Sequence, residues 1–154
     1  MRKYILPFIT MLIINFLGLY LGGLATNPGV KSDWYQHQIL QAPWTPPGYV
    51  FAITWTLIGI TWSVLGAWLW KNKKELIDIY AIGWFLNLSW NFLFFTFHTT
   101  IAAGFVIVLL ALSIFYILEQ LRKSGNQRIS FWGYIYFFWL MIATSLNWYI
   151  IFMN

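Results

Sequence analysis

Chemistry in this sequence has to come from rings and amides, because charged groups are almost absent from its apolar stretches. Trp55, Gly59, Trp62 and Gly66 recur at i, i+4, i+7 and i+11, which is one face of a helix. Alternating large and small residues on that face leave notches beside flat rings. Tight helix packing uses such notches, and so does a pocket for a flat ligand. Asn87 and Asn91 stand one turn apart, with Trp84 on the same face. Trp139, Ala143 and Asn147 repeat the pattern of ring, small residue and amide at i, i+4 and i+8. An amide in apolar surroundings costs free energy unless it is satisfied, so these side chains should face other helices. Interhelical hydrogen bonds, worth roughly 0.6–2 kcal/mol, are one use for them. A polar anchor for a ligand carbonyl or carboxylate is the other, and the residues alone leave both open.

Several chemistries are excluded. The four acids, Asp33, Glu75, Asp78 and Glu119, all fall in connections or at the ends of apolar runs. No run carries a charge at its centre, which argues against a proton relay or ion pathway of the usual kind. His37 and His98 lack a third partner for a metal, so no metal site is expected. No serine sits in a nucleophile-elbow context. Cysteine is absent, which removes disulfides and thiolate chemistry.

The elements that must hold these rings are membrane helices. With 60% hydrophobic and 8% charged residues, the chain has too little polar material to cover a soluble surface. Its mean hydropathy of +0.68 points the same way. Spans are expected at about Ile5–Ala25, Pro46–Trp70, Ile77–Phe97, Ile101–Leu118 and Phe131–Phe152, each near the roughly 20 residues a bilayer core requires. The fourth, aliphatic and without tryptophan, reads as the most lipid-facing or purely structural member. The expected fold is an all-α integral membrane bundle of five transmembrane helices forming one domain over residues 1–154. Gly18 and Gly22 form a GxxxG pair, which serves packing inside the bundle or a homodimer.

The stretch from Trp34 to Trp55 is neither a clean span nor a basic hinge. Ala42-Pro43-Trp44-Thr45-Pro46-Pro47-Gly48 holds three of the five prolines, each of which fixes φ and removes a donor. The stretch reads as a structured loop between the first two helices: a stiff aromatic lid over the bundle mouth. Pro46 and Pro47 are expected in the first turn of the second helix. Charge gives the orientation. Arg2, Lys3, Lys71, Lys73, Lys74, Arg122, Lys123 and Arg128 share one side, with only Lys31 on the other. By the positive-inside rule the N-terminus is cytoplasmic, and the net charge of +5 reflects topology rather than nucleic-acid binding.

Trp34-Tyr35, Pro43-Trp44-Thr45-Pro46-Pro47, Trp55, Leu86-Asn87 to Trp90-Asn91, and Trp139 with Ala143-Thr144 to Leu146-Asn147 resemble the tryptophan-rich sensory protein family. That family is also called translocator protein or peripheral-type benzodiazepine receptor. The resemblance covers nearly the whole chain. It implies a five-helix receptor in the bilayer for porphyrins (protoporphyrin or haem) and drug-like apolar ligands, with transport or tetrapyrrole and stress regulation as its role. No further cofactor is implied. The ligand-binding residues carried over are Tyr35, Trp44, Trp55, Asn87, Asn91, Trp139 and Ala143, and Pro46, Pro47 and Gly59 join them from the lid and notch readings. The animal cholesterol motif needs a basic residue that is missing after Tyr149. Short connections without a targeting extension fit a bacterial cell-membrane member. Two other functions stay open: light- and oxygen-dependent porphyrin breakdown, with Trp55 and Trp139 as redox-active rings, and an assembly protein binding partners through aromatic faces.

Overall fold

Apolar runs separated by short polar turns fold here into five long helices and no strand among the described residues, 2–154 of this computed structural model. Met1 and the Arg2 side chain, part of the basic start, lie outside the description. The helices are α1 (Arg2–Gly29), α2 (Gly48–Asn72), α3 (Ile77–Phe95), α4 (Thr100–Lys123) and α5 (Gln127–Met153). By length and composition α1, α2, α4 and α5 can each cross a membrane. The fifth, α3, has 19 residues, about 28 Å of helix, and gives part of its length to Asp78, Asn87 and Asn91. Short turns make neighbours antiparallel. His98 reverses the chain between α3 and α4 with a positive φ of 55°, and Gly125 does so between α4 and α5 with φ 76°.

The helices close a ring in the order α1, α2, α5, α4, α3 and back to α1. Alternating direction collects Lys3, Lys71, Lys73, Lys74, Arg122, Lys123 and Arg128 at one end. The loop between α1 and α2 covers the other end.

Two expectations change. The aliphatic α4 is not the most lipid-facing helix. Ala103, Gly104, Ile107, Leu110, Ala111, Ile114, Ile117, Leu118 and Leu121 make it an inner stripe, with Phe105, Leu109, Leu112 and Tyr116 outward. Of the four apolar spans α1 is the least buried, at 22% against 44% for α4. Pro46 and Pro47 precede α2 rather than open it. Helical geometry is disfavoured for a residue before proline, and Pro46 lies outside the helix. Pro47 (φ −58°, ψ 149°) is the N-cap, and its carbonyl accepts the first bond, from Val50 N at 2.9 Å.

Small residues set the helix spacing. The Gly18–Gly22 face of α1 is occupied by α3 of the same chain: a Cβ at Gly18 would lie 2.5 Å from Trp84 Nε1, and one at Gly22 3.0 Å from Asn91 Nδ2. The Trp84 indole donates to Ile14 O at 3.1 Å across this contact. At the centre, Trp62 stacks on Tyr80 at 5.0 Å and 6°. Gly133 of α5 sits where a Cβ would come within 2.5 Å of Leu118 Cδ2 and 2.9 Å of Leu65 Cδ1, side chains with no room to retreat. Gly133→Ala is therefore expected to destabilise by about 1–3 kcal/mol through overpacking. Thermal melting of the purified protein checks this, at about 2–4 °C of Tm per kcal/mol. An unchanged Tm would show that the α2–α4–α5 junction gives way easily.

Candidate functional site

The lid is pinned along both edges. After α1 the chain makes one π-helical turn over Trp34–Gln38 and then runs extended from Ile39. Trp34 stacks on the His98 ring at 4.0 Å and 11°, tying the lid to the turn between α3 and α4. Tyr35 packs edge-on or tilted against Phe94 and Phe95, and burial pushes its phenol pKa up, keeping it neutral. On the other edge, Trp44 donates its indole hydrogen to Ser145 Oγ at 3.1 Å and meets Tyr149 edge-to-face at 5.1 Å. Asn154 pairs with the Leu40 backbone, accepting from its N–H at 2.7 Å and donating to its carbonyl at 3.4 Å. The two histidines are engaged separately: His98 on Trp34, and His37 with Asp33 at 3.0 Å. Hydrogen bonds from Gln38 and His37 hold the Asp33 carboxyl below its usual range.

Beneath the lid, α2 and α5 interlock through aromatic rings. Phe51 meets Trp139 edge-to-face at 5.2 Å, and one turn deeper Trp55 meets Tyr136 in the same way at 5.9 Å. Spacing of i, i+4 on α2 against i, i+3 on α5 makes this zipper. Ala143, one turn beyond Trp139 toward the lid, is buried on the same face of α5. Trp139 is 5% exposed, and its indole N–H has no acceptor among the described residues. The Thr144 and Tyr136 hydroxyls are buried without partners as well.

The amides divide. Asn91 accepts from Thr26 Oγ1 of α1 at 2.7 Å and donates to Asn87 O at 2.9 Å, so it serves as an interhelical tie. Asn147, 1% exposed, accepts from Trp90 Nε1 at 2.9 Å and donates to Thr100 O at 3.0 Å, joining three helices. Asn87 is less committed: its side chain has a 3.5 Å contact with Asn91 and lines a cavity of about 30 Å³ at the ring centre. Trp55 and Gly59 line the same cavity, with Tyr136 opposite.

Asn91 apart, which ties α3 to α1, the sequence-predicted residues thus fall into three neighbouring groups. Trp55, Gly59 and Asn87 share the central cavity, Trp139 and Ala143 belong to the α2–α5 zipper, and Tyr35, Trp44, Pro46 and Pro47 belong to the lid. Tyr136, Phe51 and His98 were missed. Tyr136 lies three residues before Trp139 and so on the same helical face, which was the available signal. His98 gave none, since its role comes from a positive φ in a turn.

The chain matches the model of the TspO/MBR family over residues 10–153. It is 30% identical to the tryptophan-rich protein TspO of Chlorobaculum tepidum over 130 residues, covering 80% of this chain and 81% of that protein. It is 27% identical to the tryptophan-rich protein TspO of Archaeoglobus fulgidus, covering 99% of this chain and 97% of that one. Five stacked helices, a proline-stiffened aromatic lid and a match along nearly the whole length agree: this integral, multi-pass membrane protein belongs to the TspO/MBR family.

Proposed function

We propose that the protein is a membrane receptor for porphyrins and similar planar apolar ligands, held beneath the lid against the α2–α5 zipper. The observation that carries this reading is the Trp139 indole N–H, buried against Phe51 with no acceptor among the described residues. A buried donor left unmade costs about 1–3 kcal/mol. A ligand that brings a flat apolar body and a carboxylate or carbonyl recovers that cost and gains stacking area. Tetrapyrroles with propionate arms have both features, as do aromatic carboxamides.

The cavity of about 30 Å³ is far below the roughly 300–1,000 Å³ of a drug-sized pocket. Binding therefore requires the zipper to part and the lid to lift, and the lid edges at His98 and Ser145 are where it releases. Absorbance titration of the purified protein with protoporphyrin tests the reading. Saturable binding that quenches tryptophan emission is expected, and no binding across the soluble range of the porphyrin would sink it.

The orientation proposed with this function places the basic end in the cytoplasm of a bacterial-type cell membrane and the lid outside. Reporter fusions after Lys74 and after Asn154 are expected on opposite sides, cytoplasmic and external. Two cytoplasmic reports would overturn the five-span topology.

A further inference from the structure

The cavity between α1, α2 and α3 has a largely apolar wall with polar side chains at three points, one of them from α5. Tyr136 of α5, 3% exposed, lines it with a hydroxyl that has no partner among the described residues. The Asn87 amide of α3 lines the same cavity. Asn15 of α1, 7% exposed, is the third polar point. Its Nδ2 is committed, donating to Ser63 Oγ at 2.9 Å and Tyr80 Oη at 2.7 Å, while its carbonyl oxygen is left for another donor. Tyr80 in turn donates to Trp62 O at 3.3 Å. Among the described residues no charged side chain lines the cavity.

We infer that this cavity is a hydration site, in which one or two ordered waters join Tyr136 to Asn87 and Asn15 across the ring. A water needs about 10–15 Å³ of such space and two to four polar partners, and a volume of about 30 Å³ with a phenol and two amides supplies both. In the ring, α5 packs chiefly on α2 and α4, and reaches α3 through the Trp90–Asn147 hydrogen bond. The waters thus add a second polar tie, between α5 and the Asn15–Ser63–Tyr80 network. The site takes water or another small neutral hydrogen-bonding solute. Ions are excluded because nothing there balances a charge in a low-dielectric interior. Trp55, Gly59 and Asn87, which line it, belong also to the proposed ligand site, so the hydration is that of the ligand-free protein.

Tyr136→Phe separates a wet chamber from a dry one. If the chamber is dry, the variant loses an unsatisfied buried hydroxyl, and Tm should rise by about 2–8 °C. If it is hydrated, the variant strands the waters, and Tm should fall by about 2–4 °C or stay level. A second measurement on the unaltered protein in lipid decides if the variant does not fold. In water-edited solid-state NMR, Tyr136 Cζ and Asn87 Cγ should gain polarisation from water several times faster than the methyls of Leu65, which is fully buried. Build-up at Tyr136 no faster than at Leu65, or a raised Tm in the variant, would overturn the inference.

Discussion

Replacing Pro46 and Pro47 together with alanine is expected to weaken porphyrin binding about tenfold while leaving the bundle folded. The loss is expected to come from the backbone. Pro47 disfavours helical geometry at Pro46, and Pro47 itself is the N-cap from which α2 starts. The Thr45 N–H donates to Ala42 O at 2.9 Å, and its hydroxyl reaches the same oxygen at 2.7 Å, so the strap is one tight turn held from both ends. With alanines, the unbound strap samples many more conformations, and ordering it over a ligand costs of order 1 kcal/mol or more. That corresponds to roughly tenfold in Kd. Trp44 keeps its bond to Ser145 in both proteins, so its contribution should cancel. Titration of both proteins with protoporphyrin checks the expectation, with helical circular dichroism confirming the fold. Equal affinities would remove the lid from the site.

How much could be read without coordinates follows from which forces act locally. Prolines and polar turns act on their own residues, so the helices, the lid and the collection of basic residues at one end were legible. The inner and outer faces were not. In a bilayer both lipid and bundle interior are apolar, so the usual contrast between buried and exposed side chains vanishes. That is why α4 looked lipid-facing, although Ala103, Gly104 and Ile107 form its inner stripe. Aromatic periodicity located Trp55 and Trp139 on facing helices, but their true neighbours, Tyr136 and Phe51, depend on the rotation of α2 against α5. The amides show the same limit. Asn87 and Asn91 look alike one turn apart, and only the position of Thr26 on α1 makes one a tie and leaves the other at the cavity.

Trp139→Phe should weaken porphyrin binding more than Trp55→Phe, about 10–100-fold against severalfold. Phenylalanine keeps an apolar ring at either position, so the difference isolates the indole N–H. At Trp139 that hydrogen is buried and unpartnered, and a hydrogen bond to a ligand carboxylate is worth roughly 1.5–3 kcal/mol. At Trp55, half-buried beside the central cavity, only part of an aromatic contact is lost, roughly 0.5–1.5 kcal/mol. The same variants separate a receptor from a photochemical enzyme. Indole gives up an electron far more readily than benzene. If these tryptophans carried porphyrin breakdown, loss of porphyrin absorbance under light and oxygen would collapse in a variant whose dark affinity is nearly intact. For a receptor, any bleaching simply follows occupancy. Measured at saturating protein, the two variants should then bleach porphyrin at the wild-type rate while differing in dark Kd. Trp55→Phe binding within severalfold of wild type but bleaching ten times more slowly would move the protein from receptor to enzyme.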